Sequence, residues 1–296
     1  MGRLPIWSWF RTIRRDELAS KNPIVERPTF SGAAANKSEE YSALLEAARA
    51  LPDGAPCGAS LLAAIGAEAN RRRTITGTLE GPDSPQTTGL VVRQAGVPDW
   101  WQENDNLLLC GADAQVEITL GFWQTPCRNC LAVVGSETSP PRLTFEGDGG
   151  LVVVGDGCRI FGSGFNITGE SSILIGENTT ATFGASIDVR NGGIVVVGDD
   201  NMWAMGVSLM SDDTHAIRDV VTDQRINEFG GKIVIERHVW AGNSVQLMGH
   251  CYIGHDSVIG QGSFVRNVKL PPQTVSAGRP ARPRRTGVTW NRQDLP

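Results

Sequence analysis

Four histidines, six cysteines and a C-terminal run of arginines are the groups of this 296-residue chain best equipped for chemistry. The histidines are His215, His238, His250 and His255. His215 stands in a polar, non-periodic stretch, 211–232, within Ser211-Asp212-Asp213-Thr214-His215-Ala216-Ile217-Arg218-Asp219. An imidazole titrates near neutral pH and suits proton transfer, although a lone loop histidine is ordinarily just solvated. His250 and His255 are five residues apart, and three histidines on a zinc ion would activate water. Cys127-x-x-Cys130 has neither a second CxxC nor a nearby histidine, so it reads as two of several reduced, mostly buried thiols. Arg279, Arg282, Arg284 and Arg285 offer the charge that a coenzyme's phosphates need, and fit a solvated tail equally well.

The background is globular. Hydrophobic residues make up 40% and charged residues 20% of the chain, enough for a core. A net charge of −5 with pI near 5.5 argues against nucleic-acid binding as the main activity. There are 35 glycines against 8 Trp, 2 Tyr and 9 Phe, which predicts many tight turns and thin side-chain layers. No apolar run reaches the roughly 18 residues of a membrane-spanning helix. The N-terminus has Trp7, Trp9, Phe10 and Ile13 among Arg11, Arg14 and Arg15, without the apolar core of a secretory signal. It reads as a docked arm or as an amphipathic segment, residues 1–20, in peripheral contact with a membrane. A cytoplasmic protein is the expectation.

The elements that must position these groups fall into two styles. Residues 37–73 have helical spacing, with Leu44, Leu45, Ala48 and Leu51 on one face and a second apolar run, ASLLAAIGAEANRRR, after a Gly-Ala-Pro break. Short glycine-punctuated β runs follow: TITGTLEG, GLVVRQAG, NLLLCGAD, VEITLGFW and LAVVGSE. Then comes a repeat. LVVVGDG, ILIGEN and IVVVGDD are near copies, and Val154, Ile175 and Val197 are spaced by 21 and 22 residues, the mark of stacked coils. Counting sixes from Ile235 gives Ala241, Leu247, Ile253, Ile259 and Val265, five of the six large and aliphatic. The fifth positions, Val239, Val245, Cys251, Ser257 and Ser263, are small or β-branched, and Lys269 is the exception. Each hexad makes one side and one corner of a triangular prism, with the aliphatic residue inward, the small residue at the corner, and coils pairing as parallel strands. The phase runs through Val197, Trp203 and Leu209, breaks at 211–232 and resumes; Val197 to Ile235 is one coil plus an ejected loop, a natural place for catalytic groups.

The aliphatic-Gly-x-x-small-x pattern resembles the hexapeptide-repeat acyltransferases. That resemblance implies an all-β, left-handed parallel β-helix, here of about seven coils with a mixed helical N-terminal region. The implied organisation is 1–105 as a mixed α/β cap over the first coil, 106–270 as the β-helix with a catalytic loop at 211–232, and 271–296 as a tail. The Ser211–Asp219 segment resembles the S-x-D-x-H-x-I-x-D of sugar O-acetyltransferases that decorate capsule, lipopolysaccharide or sialic acid polymers. Ile235-Glu-Arg-His238-Val-Trp240-Ala-Gly242-Asn243 resembles their I-G-D-H-V-W-I-G-x-N, and VSAGRPARPRRTGVTW at 275–290 their V-x-A-G-N-P-A-K. Departures are Glu236 for Gly, Ala241 for an aliphatic, Arg279 for Asn and Arg282 for Lys.

The resemblance implies acetyl transfer from acetyl-CoA, as co-substrate and with no metal, to a saccharide acceptor in surface polysaccharide synthesis. His215 is the implied general base, with Asp213 or Asp219 fixing its tautomer. Trp240 is the implied wall for the pantetheine arm or acetyl group, His238 and Asn243 line the pocket, and Arg279 and Arg282 meet the donor. A homotrimer with sites in the clefts is implied, with Trp203 and Trp240 taken as outward-facing. Two rivals share the prism: a γ-carbonic-anhydrase-like zinc hydratase and a non-catalytic scaffold of a polysaccharide assembly complex.

Overall fold

The computed structural model describes residues 39–75, 85, 87–227 and 229–294. The chain winds as a parallel solenoid with three sides per coil. The first side is built from β2 (Leu107–Gly111), β4 (Leu131–Val134), β6 (Leu151–Val154), β8 (Ser172–Ile175), β11 (Ile194–Val197) and β14 (Lys232–Ile235). The second is built from the short β9 (Thr180–Ala181), β12 (Met202–Trp203), β15 (Trp240–Ala241), β17 (Val258–Ile259) and β19 (Thr274–Gly278). The third is built from β3 (Ile118–Leu120), β5 (Arg142–Glu146), β7 (Gly164–Thr168), β10 (Ser186–Val189) and β13 (Ser208–Met210). Two longer strands, β16 (Gln246–Ile253) and β18 (Phe264–Leu270), run on from the third side of one coil to the first side of the next.

Stacking is in register. Val134, Val154, Ile175, Val197, Ile235, Ile253 and Leu270 are successive partners up the first side. The pairing of Val197 with Ile235 shows the 38-residue interval to be one coil plus an excursion. Ile235, Ala241, Leu247, Ile253, Ile259 and Val265 are all buried.

The first-side strands are apolar without alternation because both faces are covered, the usual condition of parallel strands. Val152, Ile173, Val195 and Ile233 fill the prism interior. Val153, Leu174, Val196 and Val234 point out and are covered by α1 (Glu39–Arg49) and α2 (Ala59–Ile75). In α1 the buried Tyr41, Leu44, Leu45 and Ala48 recur at helical spacing and supply the covering stripe. Third-side strands alternate instead, as in Arg142–Glu146, because their outer face is wet.

Each sheet gains an antiparallel strand at one end. The antiparallel β1 (Leu90–Arg93) pairs with β2, and the antiparallel β20 (Ala281–Thr286) pairs with β19, so the edges of β2 and β19 are covered. A short α3 (Asp99–Glu103) inserts Trp101 into the end of the interior, against Phe145 with ring centroids 4.8 Å apart. Helices α1 and α2 lie along a flank, where the outward apolar residues require them, and not over the end. The expected strand TITGTLEG starts inside α2, which runs on to Ile75; residues 76–81 and the aromatic N-terminal residues lie outside the described residues.

Trp203 corrects an expectation. Its indole is fully buried in the prism, not turned outward to a neighbour. Its partners one coil before and one coil after are Ala181 and Ala241, whose small side chains leave the room an indole needs. The departure at Ala241 from the usual aliphatic therefore has a steric cause.

Two predictions follow from this packing. Ala241→Leu, which restores the family's usual residue type, should destabilise the fold by about 1–3 kcal/mol through overpacking. Denaturant unfolding should show the loss shrinking when Trp203→Leu is added. Lys232 opens β14 almost fully buried, and burial, with Arg73 nearby, pushes its amine from the ordinary 10.5 to about 8. Between these two values the unfolded chain holds a proton that the folded chain has released, so stability should rise with pH across the window. Thermal melts of Lys232→Met should lack that rise.

Candidate active site

The turn from the first side to the second is made, coil after coil, by a residue with left-handed backbone: Gly157, Asn178, Asp200, His238, Asp256 and Gln273. Asn, Asp and His tolerate that conformation better than other side chains do. His238 is thus a corner residue, and its neighbour one coil earlier is Asp200. The imidazole Nδ1 lies 2.7 Å from Asp200 Oδ2 and Nε2 lies 3.1 Å from the Trp290 carbonyl oxygen. The ring stacks on the Trp290 indole at 4.2 Å and 6°. Trp290 Nε1 donates to the His238 carbonyl at 2.8 Å. Arg292 Nε donates to Asp200 Oδ1 at 2.7 Å. His238 and Arg292 together hold the Asp200 carboxyl below the usual carboxylate range, against the opposing effect of partial burial. His238, read as a pocket lining, is bound up with the C-terminal tail.

Trp240 begins β15 on the second side and points outward, 38% exposed, with the Trp290 ring 6.3 Å away. Asn243 occupies the next corner, where its Oδ1 accepts the Met205 amide at 3.1 Å and its carbonyl accepts the Gly262 amide at 2.8 Å. Arg279, in the turn between β19 and β20, donates to the Gly262 carbonyl and to Gln246 Oε1 and lies over the Phe264 ring. Arg282 is exposed, with a local bond to the Ala281 carbonyl.

The phase break is an ordered hairpin. The chain leaves β13 after Met210 and returns at Lys232, and the neck is pinched shut. Arg190 N–H donates to Ser211 Oγ, and the buried Asp212 Oδ2 accepts from Asn191 Nδ2 and the Gly230 amide, each at 2.9 Å. A Cβ on Gly231 would lie 1.9 Å from the Ser211 carbonyl oxygen, so no other residue fits there. Beyond the neck Arg218 bridges Arg225, and Ile226 N–H donates to the Ile217 carbonyl. Asp219 Oδ1 accepts the Val221 and Thr222 amides at the turn, which hold its carboxyl low. The tip, Val220 and Val221, is 98% and 88% exposed.

His215 stands exposed on this hairpin, and among the described residues its imidazole has no hydrogen-bond partner. The carboxylates expected beside it are engaged elsewhere. Asp213 Oδ2 accepts from Asn227 Nδ2 at 3.0 Å and Arg266 at 3.2 Å, while Asp219 caps the turn. What orients His215 is Asn227: its Nδ2 donates to the His215 carbonyl and its Oδ1 accepts the Ile217 amide, both at 2.8 Å. Asn227 and Arg266 lie outside the recognisable motifs, and nothing in the sequence marked them. The hairpin leaves the corner between the third and first sides, which is opposite the second side that carries Trp240. His215 and Trp240 therefore do not meet within one copy. Elsewhere His255 Nδ1 bonds Asp256, and the His250 amide donates to Asn267 Oδ1. Among the described residues no three His, Cys, Asp or Glu side chains gather to hold a metal.

The family model for the bacterial transferase hexapeptide (six repeats) matches residues 232–267. The chain is 34% identical over 127 residues to a polysialic acid O-acetyltransferase of Escherichia coli O1:K1 / APEC, covering 43% of this chain and 40% of that protein. It is 27% identical over 135 residues to the polysialic acid O-acetyltransferase of Neisseria meningitidis, covering 38% of this chain and 62% of that protein. It is 32% identical over 112 residues to the galactoside O-acetyltransferase of Escherichia coli K12, covering 38% and 53%. The matches to these relatives thus span 40% to 62% of their own lengths. The crystal structure of the polySia-specific acetyltransferase NeuO is similar with a TM-score of 0.56 and 28% identity, covering 64% of this chain and 79% of that one. The solenoid is accordingly a left-handed parallel β-helix of the hexapeptide-repeat type.

Asn227→Ala should loosen the hairpin without loosening the solenoid. Amide exchange at Ile217 should quicken, while the global unfolding free energy moves by about 1 kcal/mol or less, the worth of exposed hydrogen bonds.

Proposed function

We propose that this chain is an acetyl-CoA-dependent O-acetyltransferase acting on a saccharide hydroxyl, with the His215 imidazole as general base. The observation that carries the reading is the ordered hairpin ejected from the solenoid between β13 and β14, which presents the exposed imidazole of His215 inside the Ser211–Asp219 motif. The similarity to proteins named O-acetyltransferases supports the same class.

An imidazole nitrogen takes the hydroxyl proton as the sugar oxygen attacks the thioester carbonyl. The tetrahedral oxyanion then collapses, the C–S bond breaks, and the leaving thiolate receives the proton from the imidazolium. The thioester is already activated, so no acyl-enzyme is required. Trp240 forms a wall for the donor's pantetheine arm or acetyl group, with Asn243 beside it, and Arg279 and Arg282 face its phosphates. Asp213 and Asp219 contribute by fixing the hairpin.

The site is shared between copies. The hairpin of one copy meets the second side of its neighbour, and three copies close a ring. The apolar tip at Val220 and Val221, and the exposed Phe183 and Met205 bordering the second side, suit such contacts. The acceptor is a glycan destined for the surface, acetylated in the cytoplasm, where the donor is made.

Purified protein given acetyl-CoA and a panel of nucleotide sugars and oligosaccharides should release thiol. His215→Ala should lower kcat by about 10²–10⁴-fold, with little change in acetyl-CoA binding. Mixed oligomers of His215→Ala and Trp240→Ala subunits should regain activity that neither has alone, since some clefts then hold both residues. Full turnover by His215→Ala would remove the general base from this reading, and no thiol release across the panel would favour the scaffold.

A further inference from the structure

We infer that the C-terminal strap, Trp290 to Arg292, is a positioning element for Trp240 and through it for the acyl donor; the inference rests on the donor-wall reading of Trp240. After β20 the chain turns back over the coils it has already closed. Val288 N–H donates to the Gln273 carbonyl, Trp290 clamps His238, and Arg292 reaches Asp200 and beyond. Its Nη1 donates to Thr180 Oγ1 at 2.9 Å, and its Nη2 to the Asn201 and Asn178 carbonyls at 3.0 and 3.2 Å. The strap thus crosses the corner column from Gln273 back to Asn178.

Closing the end of the solenoid does not explain this course, because β20 already pairs with the last strand of the second side. The strap turns instead toward Trp240. Trp290 and His238 bond reciprocally, each side chain to the other's carbonyl, with their rings stacked at 6°. Both imidazole nitrogens are held, one at Asp200 Oδ2 and the other at the Trp290 carbonyl. The indole held in this way is itself buried and lies 6.3 Å from Trp240 at 52°. Trp240 and the inward Ala241 make a two-residue strand, and the Trp240 indole lies partly in solvent. A fixed aromatic edge on one side restricts the rotamers of that indole before the donor arrives. Pre-organisation of this kind lowers the ordering cost of binding.

Acetyl-CoA affinity at equilibrium, steady-state kinetics and thermal melts of four single variants and one double variant test this. Trp290→Ala and Arg292→Ala should each weaken acetyl-CoA binding by about three- to tenfold, the scale of one aromatic contact, with kcat within about twofold. Trp290→Phe keeps the stack on His238 and should retain affinity, which separates positioning from mere folding. In a Trp240→Ala background, Trp290→Ala should add nothing further to the loss of affinity, because the effect passes through Trp240. The inference is overturned if Trp240→Ala weakens binding while the strap variants do not. It is equally overturned if the strap and Trp240 losses simply multiply. If Trp240→Ala itself leaves acetyl-CoA binding unchanged, the donor-wall reading falls, and this inference falls with it.

Discussion

In a stacked solenoid the nearest neighbours of an inward side chain lie one coil before it and one coil after it. In-register parallel pairing therefore couples residues roughly twenty positions apart more tightly than residues close in sequence. The column from Val134 through Val154, Ile175, Val197, Ile235 and Ile253 to Leu270 shows the coupling as uniform aliphatic packing. The column Ala181, Trp203, Ala241 shows it as size compensation, since a fixed strand spacing admits an indole only between two small residues.

Because the interior is determined in this way, the three outer faces are free to differ. The first side is apolar outside as well as inside and is sealed by α1 and α2. The third side alternates and meets water. The second side has the shortest strands and carries Trp240, with the tail folded across its corner. Left-handed corner residues do more than turn the chain. They bring side chains from successive coils into line, and this alignment lets Asp200 and His238, 38 positions apart, share one hydrogen bond.

The hairpin at 211–231 depends on the same rigidity. A frame that does not yield lets the chain leave and return through a neck where Gly231 touches Ser211, so the excursion keeps its own hydrogen bonds and does not collapse onto the solenoid. Within it the carboxylates do structural work: Asp219 caps the tip, and Asp213 ties the base to Arg266 on the third side. The imidazole of His215 is left without a partner among the described residues, and Trp240 stands on the second side, opposite the corner from which the hairpin leaves. Under the proposed reading, a site that uses both groups takes one of its faces from a second copy.

The sequence by itself determined the repeat, its inward positions and the place where the phase breaks, because hydrophobic period is a local property that each hexad restates. Helix α1 was legible for the same reason, and so was the outward direction of Trp240. Other features depended on contacts across coils. Trp203 lay on the inward phase, yet only the alanines one coil away show that the prism has room for it. The doubly buried first side needed α1 and α2 to be placed on it. The partners of His215, His238 and Asp213 were not legible either. Asn227, Trp290 and Arg266 lie 12, 52 and 53 positions from them, and no local pattern encodes which corner of a folded prism two such residues will share.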